Sequence, residues 1–208
     1  MKKIVLVGGG GFAKEVCEIA QLCGHDVVAY VGTRQDVLNR PYWGERDALA
    51  AHHGEFDAVC IAFGATDRKS AVSRAATVAW LAQQGYASLP LVSPAARIAQ
   101  GATVGDGSIV AHGAVLSVDC RLGGHCIVNT NAVIGHDAHI ASNVTVAPVA
   151  FIGGNAAVGA DSLIGPGAIV LERRVIGERV VVGMGATVAR DVADGATVVP
   201  LRSKVVKV

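Results

Sequence analysis

Aromatic side chains are scarce: four Phe, two Trp and three Tyr in 208 residues, although 51% of the chain is hydrophobic. Rings normally fill the middle of a wide core, so an apolar chain with few of them suits a narrow interior of small aliphatic residues. Charge bias is also missing. The net charge is +1 with 17% charged residues and no basic stripe, which argues against nucleic acid as a partner. No apolar run reaches the roughly 18 residues of a membrane-spanning helix, so no membrane is expected. Ile4 to Val7 is too short an apolar core for a signal peptide before the glycines begin, and a cytoplasmic protein is expected. The five cysteines, at 17, 23, 60, 120 and 126, are odd in number and form no C-x-x-C pair. They support neither a disulfide framework nor a zinc site.

What the chain does have is a period of six. From Ile98 to Val188 the first residue of every six is aliphatic, sixteen times in succession and without insertion. The position four residues later, from Ala102 to Val192, is Ala, Ser or Cys in twelve of the sixteen repeats, and the residue after the aliphatic one is Gly in eight. A period of six is neither helical nor simple strand alternation. It marks a hexapeptide β-helix. Six residues form one flat side, three sides form an 18-residue coil, and coils stack as parallel strands about 4.8 Å apart. The aliphatic residue points to the axis and the small residue fits the corner. The glycines are expected to serve the backbone conformations of the corner. Arg174, at a small-residue position, is expected to turn outward or to mark a bulge, because an unpaired charge on the axis is costly. Cys120 and Cys126 sit at consecutive small positions and read as packing residues.

Ahead of the prism the chain reads as an α/β, Rossmann-like unit. A strand at 2–7 runs into Gly8-Gly9-Gly10-Gly11-Phe12-Ala13, then a helix with apolar residues at Val16, Ile19, Ala20 and Cys23 that Gly24 ends. The order strand, glycine turn, helix places free N–H groups at a helix start, where a phosphate can be held. A second strand is expected at 27–31. An Asp or Glu usually ends that strand to hold the ribose of NAD; here it ends Tyr30-Val31-Gly32, with Asp36 several residues beyond. NAD is therefore disfavoured, and a purely structural turn stays open. A short helix near 47–52, a strand at 57–63, a helix at 67–84 and a strand at 87–92 complete a small parallel sheet. Ser93-Pro94 is the expected boundary between residues 1–93 and 94–208. A basic tail begins at Arg202.

An aliphatic prism core is inert, so chemistry must sit on outward positions. Of four prism histidines, His112, His125, His136 and His139, the third is the informative one. It lies in Asn129-Thr130-Asn131-Ala132-Val133-Ile134-Gly135-His136-Asp137, third in its six and facing outward. A carboxylate bonded to an imidazole orients it and raises its basicity, although neighbours in a strand often point apart. A metal site, as in prism-shaped carbonic anhydrases, would need histidines separated by 18 to stack on one side; His136 and His139 do not. Surface histidines without a role are the remaining reading, chiefly for His112 and His139.

The glycine-rich opening, the Ser-Pro junction and the prism carrying Asn129-Thr130 and His136-Asp137 resemble the hexapeptide-repeat sugar O- and N-acetyltransferases. This is the group of sialic acid O-acetyltransferases and bacillosamine-type sugar N-acetyltransferases, and the likeness spans nearly the whole chain. It implies a left-handed coil and a homotrimer with acetyl-CoA held between neighbouring prisms. His136 would be the general base, oriented by Asp137, with no metal required. It implies an acetyl-CoA wall at Thr145, Gly154, Pro166 and Met184. Gly154 also lies one coil of 18 residues beyond His136, which brings the two together independently. The resemblance makes the first unit a sugar-nucleotide cradle, with Gly8, Gly10, Gly11 and Phe12 near the pyrophosphate and sugar, Gly64 and Arg68 near the nucleotide, and Asn129 at the substrate. Phe12 stands where some amino-sugar N-acetyltransferases carry His, and the acid pair some have near Val31-Gly32 is absent. The expected activity is acetyl-CoA-dependent N-acetylation of a nucleotide-linked amino sugar, of the 4-amino-4,6-dideoxy kind, for surface glycan synthesis. Sugar O-acetylation of the sialic acid type and a non-catalytic trimeric scaffold are the alternatives.

Overall fold

The computed structural model describes residues 1–33 and 38–200; Asp36 and the basic tail from Arg202 lie outside them. Strand β1 (Lys3–Val7) enters helix α1 (Gly11–Leu22), β2 (Asp26–Val31), β3 (Tyr42–Gly44), a 3-10 helix (Arg46–His52), β4 (Ala58–Ile61) and α2 (Arg68–Gln84). The four strands are parallel in the order β3-β2-β1-β4. Strand alternation sorts β1 between two layers. Ile4 and Leu6 pack with α1, while Val5 and Val7 pack with the 3-10 helix and α2. Asp67 caps α2 by accepting the Ser70 N–H, with the Ser70 hydroxyl returning the contact, and Gly85 closes it at φ 72°. This reciprocal pairing satisfies two otherwise free donors of the first turn.

The strand expected at 87–92 does not complete this sheet. Ala87 accepts one hydrogen bond from Val59 at the sheet edge. Leu91–Val92 then pairs in parallel with Ile109–Val110 and opens the prism instead. The prism is a left-handed parallel β-helix with faces of seven, six and five strands. Each two-residue strand up to Ile169–Val170 pairs with the strand 18 residues on, as Val133–Ile134 does with Phe151–Ile152; the last coil is shorter, with Ile176 bridging to Val192 and Val181–Val182 pairing with Thr197–Val198. The aliphatic and small residues form one continuous buried core from Val110 to Val188.

The corner chemistry differs from expectation. The left-handed residue is the one three after the aliphatic position: Gly101, Asp119, His125, Asn131, Asp137, Asn143 and their successors as far as Gly185 lie between φ 54° and 75°. The glycine directly after the aliphatic residue has ordinary φ and is needed for close approach. A β-carbon on Gly159 would lie 2.5 Å from the Gly177 backbone, and one on Gly135 would lie 2.5 Å from Gly154. At these corners coils stack glycine upon glycine, whereas Gly123 meets Ala141 and Gly153 meets Leu171 and Glu172. Arg174 turns outward without a bulge. Its Nη1 lies 3.6 Å from Asp191, and the neighbouring strand Val175–Ile176 stays in register.

The first unit docks on the seven-strand face. The outward residues Leu91, Ile109 and Ile127 join Ile4, Leu6, Ala13 and Val16 in one buried cluster. Two arginines of α2 fasten it. Arg74 is fully buried and donates to the Phe63 carbonyl (3.0 Å), the His125 carbonyl (2.7 Å) and Asn143 Oδ1. Arg68 donates to the carbonyls of Arg179 (3.1 Å) and Gly195 (2.9 Å) and to Thr197 Oγ1 (3.0 Å).

Candidate active site

His136 stands on the corner between the six-strand and five-strand faces, with its side chain 62% exposed. Its Nδ1 lies 2.8 Å from Asp137 Oδ2. Adjacent residues meet here because Asp137 takes the left-handed corner, at φ 57°, which breaks strand alternation. Asp is among the few side chains that occupy this region readily. An ionised carboxylate only accepts, so the hydrogen sits on Nδ1, and Nε2 is left as an acceptor facing outward. The ring rests over Gly154: a β-carbon there would lie 2.5 Å from Nε2.

The wall residues inferred for acetyl-CoA divide. Gly154 shares the corner with His136. Thr145, Pro166 and Met184 line a cavity of about 400 Å³ on the seven-strand face and its corner with the six-strand face. Phe12, Gly64 and Asn129 line the same cavity, so three of the inferred substrate residues are gathered there too. Most of its remaining wall is apolar: Ala147, Pro148, Leu163, Val181. In one copy of the chain the six-strand face separates this cavity from His136. That face carries exposed apolar side chains, Phe151 and Ile169, beside Val149 and Leu171.

A second cavity, about 620 Å³, opens over the carboxyl ends of the sheet and is lined by Gly8, Gly9, Gly10, Gly32, Thr33, Phe63, Ser73 and Thr77 among others. It adjoins the first where Phe63 gives way to Gly64. Gly8, at φ 110°, and Gly10 belong to it; Gly11, the first residue of α1, lines neither cavity. Arg68 also lines neither, its guanidinium being spent on the last prism coil. The residues that sequence reasoning missed in this wall are Glu45, Arg46 and Asp47. They follow β3, a strand announced only by two aromatics and a glycine, Tyr42-Trp43-Gly44.

Burial raises the thiol pKa values of all five cysteines, and takes Cys60 up to about 12. None is poised as a nucleophile. Among the described residues no three His, Cys, Asp or Glu are placed to hold a metal, and no helix is long and apolar enough to cross a membrane.

The PglD N-terminal domain family matches residues 3–75. None of the curated proteins matches the chain. Solved structures do, over nearly the full length. The acetyltransferase domain of PglB from Neisseria gonorrhoeae FA1090, in complex with acetyl coenzyme A, is 29% identical, with 94% of each chain covered and a TM-score of 0.85. PerB from Caulobacter crescentus, in complex with CoA and GDP-perosamine, is 29% identical over 94% of this chain and 92% of that one, with a TM-score of 0.86. WeeI from Acinetobacter baumannii AYE is 26% identical over 93% of this chain and 94% of that one, at 0.79.

Proposed function

We propose that the chain is a hexapeptide-repeat sugar acetyltransferase of the bacillosamine type, and that it transfers the acetyl group of acetyl-CoA to the amine of a nucleotide-linked 4-amino-4,6-dideoxy sugar. The α/β unit holds the nucleotide sugar and the prism, which begins at Leu91–Val92, carries out transfer. The observation that carries this reading is the His136–Asp137 pair, 2.8 Å apart on an exposed prism corner with Nε2 free.

The nucleotide occupies the larger cavity, its pyrophosphate over Gly8–Gly10 and the start of α1. The sugar passes the Phe63–Gly64 border into the smaller cavity near Phe12 and Asn129. His136 Nε2 accepts a proton from the attacking amine. The amine nitrogen bonds to the thioester carbonyl carbon, the carbon–sulfur bond breaks, and the CoA thiolate leaves and takes up the proton. No residue needs to be acylated: aminolysis of a thioester is direct, and no outward Cys accompanies His136 as a nucleophile.

One copy cannot bring His136 to the Thr145–Pro166–Met184 wall, because a whole prism face lies between them. A homotrimer resolves this. Three parallel prisms with their six-strand faces turned to a common axis set the His136 corner of one against the Met184 corner of the next, and cover Phe151 and Ile169. Acetyl-CoA then lies in the slot between copies. Both co-substrates are cytoplasmic metabolites, which supports a cytoplasmic enzyme of surface glycan, lipopolysaccharide-type, synthesis. The test is thiol release from acetyl-CoA with a panel of UDP-, GDP- and dTDP-linked 4-amino sugars, with free sialic acid as a hydroxyl acceptor. Release with an amino sugar alone supports the reading. Release with sialic acid alone moves it to O-acetylation, and release with none points to a scaffold.

A further inference from the structure

Two carboxylates stand in the wall of the larger cavity, Glu45 and Asp47. An anionic ligand is repelled there unless it offers hydrogen-bond donors to them. Asp47 has a cation beside it, its Oδ1 being 3.9 Å from Arg46 Nε, and Arg46 itself lies over the Trp80 ring at 4.9 Å. Glu45 has none. It precedes the 3-10 helix but its side chain makes no capping bond, and among the described residues it forms no ion pair.

Its place in the sheet gives the free carboxylate a meaning. The Gly32 N–H donates to the Gly44 carbonyl at 2.8 Å, so Glu45 emerges beside the end of β2. That is where a dinucleotide fold keeps the acid that holds a ribose, and where this sequence has only Val31-Gly32. Strands lie about 4.8 Å apart, so a nucleotide with its phosphates on the β1 glycine turn sets its ribose one strand over, at β2.

The structure assigns Glu45 as the ribose-holding acid of this cavity, supplied laterally from the exit of β3. Its carboxylate accepts from the 2′- and 3′-hydroxyls of a ribonucleotide. This rests on the nucleotide-sugar reading and adds a selection: ribonucleoside diphosphates over their 2′-deoxy counterparts.

Calorimetric titration of the full chain with UDP against dUDP, and GDP against dGDP, tests it. The wild type favours the ribo form by about 10–100-fold, the worth of a hydrogen bond to a charged acceptor. Glu45→Ala binds the two forms alike, Glu45→Gln keeps a reduced preference, and Asp47→Asn keeps the full one. An unchanged preference in Glu45→Ala overturns the assignment, as does a wild type that binds nucleotides without preference. A wild type that binds none of the four overturns the nucleotide-sugar reading along with it.

Discussion

The imidazole of His136 occupies the space that a side chain on Gly154 would fill, since a β-carbon there would lie 2.5 Å from Nε2 and 2.8 Å from Cε1. One coil thus seats the imidazole of the coil below. The ring is exposed and can swing aside, so Gly154→Ala should leave the melting temperature nearly unchanged. The base would be displaced by about 1 Å or more, and a misplacement of that size costs about 100-fold in kcat. Thermal melting alongside acetyl transfer checks this. Wild-type turnover would separate Gly154 from the reaction.

Removing the imidazole itself is the stronger test of its proposed role as base. His136→Ala should lower kcat by about 10²–10⁴-fold, the usual worth of a general base. Asp137→Asn keeps a side chain suited to the left-handed corner but not the acceptor that fixes the imidazole tautomer, so activity should drop about tenfold or more with stability retained. Asp137→Ala should lose activity and also about 1–2 kcal/mol of stability, because Ala at φ 57° is strained. Equal stability of the two Asp137 variants in urea would contradict the corner argument.

Sharing of the site between copies can be read by complementation. His136→Ala and Met184→Arg chains should each be inactive alone. Co-expressed, they assort at random, and about a quarter of the slots then combine an intact His136 corner with an intact Met184 corner. Mixed assemblies with no activity would place both residues on the same copy's site. If copies pack through the six-strand face as proposed, Phe151→Arg should yield smaller species than the wild type in light scattering.

Acid stability should depend on His125. Burial first, and then the Arg74 guanidinium, hold its pKa below the ordinary 6.5. The unfolded chain therefore binds a proton that the folded chain resists. This cost is absent above about pH 6.5 and grows as pH falls toward the depressed folded value. His125→Asn, which tolerates the left-handed corner at φ 56°, should lose less melting temperature between pH 7.5 and 5 than the wild type. Parallel losses would show that other groups set the acid limit.

The prism was legible almost residue by residue, because a period of six forces every aliphatic side chain onto the axis. Two things were not. The role of the glycine after the aliphatic residue is fixed by contact with the next coil, which no single repeat reveals. Gly159→Ala, forced against backbone at 2.5 Å, should therefore destabilise by more than Gly167→Ala, which only strains a φ of 64° and meets open space; chemical denaturation compares them. Likewise the docking of the first unit is written in outward residues at intervals of 18, Ile109, Ile127, Thr145, Leu163 and Val181, a longer period than the repeat itself. The His136–Asp137 pair was readable as sequence neighbours, whereas Glu45 reaches its cavity only through pairing between β2 and β3.

The steady register of the coils from Leu91 to Val188 turns that part of the prism into a graduated scale. Within that span each notch is one coil, about 4.8 Å tall, so a whole coil added or removed there keeps Gly135 over Gly153 and Gly159 over Gly177. A single residue inserted inside that span would instead carry the later aliphatic side chains off the axis.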